Sequence, residues 1–138
     1  YKYHNQLFYS FFKILQEIKV NDGGYIFLVS SFHVKEPNPN LLLSNAYRLA
    51  FISVLKSLSK ELAKKGISTI NIAPGPINTD RLNDLVPNMT DFESELPMKR
   101  TGETKEIGDF VKSIVDNKIK YLTGVTIVFD GGLSNYVL

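Results

Sequence analysis

A regular alternation of amphipathic helical segments with short apolar segments most constrains the fold of this chain. Apolar residues recur at helical spacing before residue 19, over Ser44–Lys65 and over Thr104–Asn117. The short runs that are apolar and rich in β-branched or aromatic residues are Tyr25–Val29, Ser68–Ala73 and Val125–Phe129. Strands that alternate with helices are joined by right-handed crossovers, so the pattern predicts an α/β fold with a parallel sheet covered on both faces.

The same spacing predicts which face of each helix is buried. In the first helix the apolar stripe is Leu7, Phe8, Phe11, Phe12, Leu15 and Ile18. In the second helix the expected buried face is Leu49, Ile52, Leu55, Leu58 and Leu62, and in the third it is Ile107, Phe110, Val111 and Ile114. The stretch from Thr79 to Met98 is polar and contains two prolines, so it is expected to be irregular.

Composition bounds the class of protein. The 138 residues suffice for one domain, and a formal net charge of +2 is too small to indicate a nucleic acid or an anionic membrane as partner. There is no cysteine, and His4 and His33 lie far apart in the sequence, so no metal site is expected. No run reaches the ~20 apolar residues of a membrane span and the first residues lack the features of a signal peptide, which predicts a cytoplasmic protein.

Four motifs in one order resemble the C-terminal half of the short-chain dehydrogenase/reductase family. They are Gly24–Ser31; Ser44–Arg48, at the place of the family's Tyr-x-x-x-Lys; Asn71–Thr79, similar to its N-x-x-x-P-G-x-x-x-T; and Arg100–Glu103 with Tyr121–Gly124 and Asp130–Gly132. The match spans residues 20–133. It implies a partial Rossmann-like, doubly wound parallel sheet, made of the last three strands of the family's domain and their helices.

Two departures from the family pattern bear on function. The glycine-rich T-G-x-x-x-G-I-G loop has no counterpart in the sequence, so residues 1–138 are expected to form the C-terminal portion of one domain, without its dinucleotide-fingerprint portion. Ser44 and Arg48 replace the tyrosine and lysine, as in a divergent subgroup with L-S-N-x-x-R. An asparagine expected in the first helix falls at Tyr3, with Asn5 two places away.

The resemblance implies roles for particular residues. Catalysis falls to Ser31, Ser44 and Arg48, and Ser31 either hydrogen-bonds a substrate carbonyl or only caps the backbone of its loop. The residues expected to hold NAD or NADP are Arg48, Pro74, Gly75, Ile77 and Thr79. A serine hydroxyl is a much weaker acid than a tyrosine, and arginine keeps its proton near pH 7. Holding the cofactor therefore suits Arg48 better than proton transfer does, and Ser44 could transfer a proton only as a relay through water.

Three other residues have two interpretations each. His33 is a titratable group that could replace the missing acid or, as we expect, a loop histidine without a role. Tyr47 is a displaced catalytic tyrosine or, as we expect, a packing residue in the core or an interface. Asp80 is expected to cap the helical stretch that follows it rather than to act in chemistry.

Three functions are compatible with these motifs. The first is an NAD(P)-dependent oxidoreductase for a small carbonyl or alcohol, similar to a 3-oxoacyl reductase. The others are a non-catalytic interaction protein and a module that binds a nucleotide or acyl ligand without turnover. In the resembled family the first two helices form a four-helix dimer interface, so a homo-oligomer, dimer or tetramer, or a complex with a separate N-terminal half is expected.

Overall fold

A computed structural model describes residues 4–137, with side chains from Phe8 onward and that of Gln6. After a π-helical turn at His4–Tyr9, the α-helices are α1 (Ser10–Glu17), α2 (Leu42–Ala63), α3 (Asp80–Leu85), α4 (Met89–Glu95) and α5 (Thr104–Asp116). The strands are β1 (Tyr25–Val29), β2 (Ser68–Pro74), β3 (Ile77–Asn78), β4 (Gly102–Glu103) and β5 (Val125–Phe129). Turns of 3-10 helix occur at Phe32–Val34 and Pro39–Leu41. Tyr3, at which the family asparagine was expected, lies outside the described residues.

The main sheet has three parallel strands in the order β1-β2-β5. Tyr25 of β1 lies opposite Ser68, and Ile70 of β2 lies opposite Val125. The central strand β2 is buried from Ser68 through Ala73, as expected of a strand with neighbours on both edges and helices on both faces. The predicted α/β fold with a parallel sheet is confirmed.

The core lies between the sheet and α5. Ile70 and Ile72 of β2 pack against Ile114, and the remaining apolar side chains on that face of α5 surround them. Those side chains include Ile107, Phe110 and Val111, so the predicted buried face of this helix is confirmed. A capping box between Glu103 and Glu106 begins α5.

The predicted buried face of α2 is partly wrong. Leu49 and Leu58 are exposed, whereas the fully buried residues of the helix are Asn45, Leu55 and Ser59. The physical reason is a close approach between α2 and the start of β5: the Ser59 hydroxyl lies 2.8 Å from where a Cβ would sit on Gly124. Only a small side chain fits between helix and sheet there, so the face that carries Ser59 meets the sheet, and Leu49 and Leu58 lie roughly 80–100° around the helix from it.

α1 contacts α2 through aromatic rings. Phe11 lies 4.3 Å from Phe51 between ring centroids, and Phe8 lies 6.0 Å from Tyr47. The expectation that Tyr47 packs is therefore confirmed. Ile18, predicted to end the buried stripe of the first helix, is exposed because α1 already ends at Glu17.

One helical stretch, Pro39–Ala63, is long and apolar enough to span a membrane by length and composition, with a mean hydropathy of 1.2 over its most apolar window. The stretch is not an unbroken run of ~20 apolar residues, because Asn45, Arg48 and Lys56 interrupt it. A helix of a soluble protein meets the same test of length and composition, and α2 packs against β2. Only 11% of the window is buried, so α2 carries an apolar outer face.

The segment predicted to be irregular, from Thr79 to Met98, contains α3 and α4. Side chains begin both helices: Thr79 Oγ1 accepts from the Leu82 amide and Asn88 Oδ1 from the Asp91 amide, each at 3.3 Å. The prediction that Asp80 is the cap was wrong, because the capping residue is Thr79 and Asp80 is the first helical residue. β3 pairs with β4 in parallel and so closes the base of the segment.

Candidate functional site

A cleft of about 790 Å³ opens beyond the carboxyl ends of β1 and β2. Its walls come from the loop after β1, from α2, from the turn after β2 and from the segment between β3 and α5. The lining includes all but one of the site residues predicted from the sequence: Ser31, Arg48, Pro74, Gly75, Ile77 and Thr79. The fold thus brings to one place residues that are up to 48 positions apart in the sequence, at the edge where parallel sheets bind ligands.

The two serines after β1 differ in their surroundings. Ser30 is buried, and its hydroxyl donates to the Ile72 carbonyl oxygen at 3.3 Å, which ties β1 to β2. Ser31 is half-buried, and its Oγ accepts from the His33 amide at 3.3 Å, which begins the turn Phe32–Val34. A hydroxyl that accepts one hydrogen bond keeps its own hydrogen as a donor. Ser31 can therefore cap this turn and also donate to a ligand in the cleft.

Arg48 connects α2 to the end of β1. Its Nε donates to Ser44 Oγ at 3.2 Å and its Nη1 donates to the Ser30 carbonyl oxygen. Burial lowers the pKa of Arg48, and the positive charge of Arg81 lowers it further. Ser44, the remaining predicted catalytic residue, is not among the residues that line the cleft. Its hydroxyl instead contacts the guanidinium from one helical turn away.

The turn after β2 is held against the end of β5. The Gly75 amide donates to the Phe129 carbonyl oxygen at 3.0 Å, and a Cβ on Gly75 would lie 2.9 Å from Cα and Cβ of Asp130. This close approach of the two chain segments requires glycine at position 75. At the contact, burial works to raise the pKa of Asp130, but hydrogen bonds from Ser134 and Gly132 outweigh it, so the pKa is lowered.

His33 lines the cleft beside Ser31. Its Nδ1 lies 3.2 Å from the Glu36 carbonyl oxygen, and its ring lies 4.1 Å from that of Phe32 between centroids. A carbonyl only accepts, so Nδ1 carries a hydrogen and Nε2 is an acceptor in the neutral ring. Within residues 4–137, no group of three or more His, Asp or Glu side chains is placed to hold a metal ion.

Two residues of the site were not identified from the sequence. Asn45 is buried, and its Nδ2 donates to the Asn38 carbonyl oxygen at 3.1 Å, which fixes a loop at the rim of the cleft. The feature of the sequence that could have identified Asn45 is a polar amide side chain on the face of the helix that turns to the sheet. Arg81, at the start of α3, also lines the cleft. Its signal was its isolation: it is the single basic residue among five acidic ones between positions 79 and 98.

Arg100 and Glu106 form a bidentate ion pair that fixes the start of α5. Nη1 and Nη2 of Arg100 each donate to a carboxylate oxygen of Glu106 at 2.8 Å, and Glu106 also accepts from the Glu103 amide at 2.8 Å. The hydrogen bonds from Arg100, followed by that from the Glu103 amide, lower the pKa of Glu106 to about 2. This pair holds in place the end of α5 that carries Thr104 and Ile107 into the cleft.

Comparison with known proteins identifies the class to which this fold and cleft belong. The profile of a family described as enoyl-(acyl carrier protein) reductase matches residues 2–134. The 3-oxoacyl-(acyl-carrier-protein) reductase FabG of Buchnera aphidicola is 33% identical over 130 residues, which are 94% of this chain and 53% of that protein. Glucose 1-dehydrogenase of Gluconobacter oxydans is 35% identical over 117 residues, 82% of this chain and 44% of that protein. This chain belongs to the short-chain dehydrogenase/reductase family, as the motifs indicated.

A solved structure supports the same assignment. The short-chain dehydrogenase/reductase from Serratia marcescens BCRC 10948 superposes with a TM-score of 0.81 at 26% identity, over 93% of this chain and 54% of that one. The chain spans about half the length of the curated relatives it matches. The parallel sheet and its helices are thus those of a Rossmann-like oxidoreductase domain.

Proposed function

We propose that the protein takes part in hydride transfer between NAD or NADP and a small carbonyl or alcohol substrate. The observation that carries this proposal is the convergence of Ser31, Arg48 and the Pro74–Thr79 turn on one cleft. The printed names of the relatives, a 3-oxoacyl reductase and a glucose dehydrogenase, support a substrate of this kind. A 3-oxoacyl group is the first substrate to test.

The residues of the cleft fit the nicotinamide end of a dinucleotide. The cleft's volume of about 790 Å³ lies within the usual range of roughly 300–1,000 Å³ for ligand pockets. Apolar side chains such as Ile77 suit a planar ring, and Arg48 and Thr79 supply polar groups beside it. In this proposal Arg48 binds a ribose hydroxyl, the main chain at Ile77 binds the carboxamide, and Thr79 binds the carboxamide or a phosphate. Bound there, the nicotinamide ring supplies or accepts the hydride.

The chain's own groups act on the substrate oxygen. Ser31 donates a hydrogen bond from Oγ to the carbonyl oxygen, and the Arg48 cation stabilises the negative charge that develops on it. Ser44 acts through Arg48, by fixing its orientation, and does not itself transfer a proton. The proton comes from a water molecule in the cleft, which His33 can orient by accepting a hydrogen bond at Nε2.

A ligand-binding protein without turnover is the second candidate function. Its support is the position of Ser44, which lies behind Arg48, together with the lack of a tyrosine among the described residues that line the cleft. Hydride transfer separates the two candidates, because a binding protein would hold the cofactor and the ketone but form no alcohol.

The test follows deuterium from NADH or NADPH labelled at C4 into the alcohol formed from a panel of ketones and 3-oxoacyl thioesters. The protein as its gene encodes it, called the natural protein below, is assayed beside the 138-residue chain. We expect deuterium at the carbinol carbon of the alcohol. Less deuterium should be incorporated by Ser31→Ala, whereas Ser57→Ala, on the outer face of α2, should incorporate as much as the parent. Cofactor binding without transfer would favour the second candidate. Failure of the natural protein to bind either cofactor would contradict both and favour an interaction protein.

The outer faces of α1 and α2 support a proposal about assembly. Ile14, Leu49 and Leu58 are exposed, and both β1 and β5 present an open edge within the described sheet. We therefore propose a homo-oligomer, dimer or tetramer, or a complex with a separate N-terminal half. A cytoplasmic location is part of the same proposal, because the relatives named above act on small metabolites or acyl carriers.

A further inference from the structure

The cleft contains two arginines that come from different elements. Arg48 extends from the first half of α2, and Arg81 is the second residue of α3, in the segment that covers the cleft. Glu95 is the one carboxylate among the described residues that line it. The wall of the site is therefore richer in positive than in negative charge, although the segment from 79 to 98 is acidic as a whole.

Neither guanidinium is paired with a carboxylate of the residues that the structure describes. The hydrogen bonds of Arg48 go to neutral oxygens, Ser44 Oγ and the Ser30 carbonyl, which do not neutralise its charge. The ion pairs among the described side chains include Arg100 with Glu106 but neither Arg48 nor Arg81. Arg48 is half-buried, and the two cations are near enough for the charge of Arg81 to lower the pKa of Arg48, after the larger effect of burial. Two like charges at one cleft are unfavourable unless an anion lies beside them.

We infer that Arg48 and Arg81 together bind an anionic group of the ligand that occupies this cleft. The group is a carboxylate of the substrate or a phosphate of the nucleotide, since guanidinium recognises both through paired hydrogen bonds. The inference rests on the proposed function in one respect, that the cleft is the place where substrate and cofactor meet. It adds the charge of the ligand and a residue, Arg81, to that proposal.

The geometry of Arg48 leaves donors for such a group. Nε and Nη1 hold Ser44 and Ser30, and Nη2 has no hydrogen-bond partner among residues 4–137. Arg81 makes no hydrogen bond or ion pair within the same part of the chain, and its side chain is exposed at the cleft. An anion between them would use free donors on both, in a site whose walls already exclude part of the solvent.

The test uses the 138-residue chain and three probes: sodium 2-oxobutanoate, inorganic pyrophosphate and neutral butanone. Arginine side-chain Nε–H resonances are followed by NMR during each titration, in the parent chain, in Arg81→Gln and in the charge-matched control Lys60→Gln on the outer face of α2. We expect an anion to shift the resonances of Arg48 and Arg81 and to leave that of Arg100 unchanged. Butanone should shift neither. Arg81→Gln should weaken binding about tenfold, the usual effect of losing a charged hydrogen bond, and Lys60→Gln should not.

The two anions separate the sources of the charge. Tighter binding of 2-oxobutanoate assigns the site to an organic-acid substrate, and tighter binding of pyrophosphate assigns it to the nucleotide. Equal binding in Arg81→Gln and the parent, or equal shifts at Arg100, would overturn the inference. If the natural protein reduces neutral ketones and Arg81→Gln binds anions normally, the inference fails while the proposed function stands. If the anion binds as expected but no hydride is transferred, the proposed function fails and the anion site stands.

Discussion

Arg48 donates from Nε to the hydroxyl oxygen of Ser44, one helical turn before it, at 3.2 Å. These two residues occupy the places of the family's tyrosine and lysine, so the helix presents a linked pair there as the family pattern does. In this chain the cation lines the cleft and the hydroxyl does not. Residues i and i+4 share one helix face, which is why the two side chains meet.

Restoring the tyrosine–lysine pair should not abolish activity. We expect Ser44→Tyr combined with Arg48→Lys to keep or raise kcat on neutral ketones in the natural protein, because a tyrosine beside a cation donates a proton readily, whereas Ser44 transfers none. Steady-state rates of the double variant are compared with those of each single variant. Complete loss of activity in a folded double variant would show that Ser44 and Arg48 have a specific chemistry of their own.

Gly75→Ala should destabilise the protein by about 1–3 kcal/mol, the usual cost of forcing a methyl group into a packed site. The new Cβ would lie 2.9 Å from Cα and Cβ of Asp130. Gly108→Ala is the matched control, because no atom lies within 4 Å of its Cβ and alanine favours a helix interior by about 0.5–1 kcal/mol. Urea unfolding measures both. Equal stabilities for the two variants would contradict the close approach of β2 and β5.

Acid should remove a contribution that Glu106 makes to stability. Its pKa falls from the ordinary glutamate value of 4.5 to about 2 in the folded chain. A lowered folded-state pKa favours folding above pH 4.5, and this contribution is lost as the pH falls toward 2. We expect the unfolding temperature of Glu106→Gln to fall less than that of the parent between pH 4.5 and pH 2. Glu61→Gln, which removes an exposed ion pair of α2, should show the same fall as the parent. Parallel curves for Glu106→Gln and the parent would argue against the ion pair with Arg100.

The outer face of α2 should govern association. Leu49 is 44% exposed on α2 and Val115 is 40% exposed on α5, so the two positions are matched in exposure and size. We expect Leu49→Lys to dissociate an oligomer, because it places a charge in the proposed interface, and Val115→Lys to leave it intact. Sedimentation equilibrium at low micromolar concentration measures the mass. A parent chain that sediments as a 15.6 kDa monomer would contradict the proposed assembly.

The strands and α5 were predictable because their signals are local. Val125–Phe129 is a short apolar run between turns, so the hydrophobic pattern alone predicts a strand there. Ile107, Val111 and Ile114 recur at helical spacing, so the same kind of pattern predicts the buried face of α5. The short helices α3 and α4 have six and seven residues, too few for a periodic stripe to stand out. The local sequence feature that marks the start of each of these helices is its capping residue, Thr79 for α3 and Asn88 for α4.

The parts of the site that were missed depend on distances between elements. Leu49 and Leu58 are outside because the face of α2 that meets β5 is the one with Ser59, which packs against Gly124, a contact that no local pattern contains. Ser44 and Arg48 were correctly paired from their spacing, but which of them reaches the cleft depends on the position of the Ser30 carbonyl. Arg81 joins the site because α3 forms part of the wall of the cleft.

The pairing of Ile77–Asn78 with Gly102–Glu103 has a consequence for how the protein can diverge. The two ends of the segment between them are fixed to each other at its base, so the segment is closed before any of its own residues pack. The entropy of closing such a loop grows only slowly with its length. Insertions, deletions or exchange within residues 80–99 would therefore leave the main sheet in register. Chimaeras that exchange this stretch, and so keep Thr79 and the Arg100–Glu106 ion pair, would test whether it determines which ligand the cleft selects.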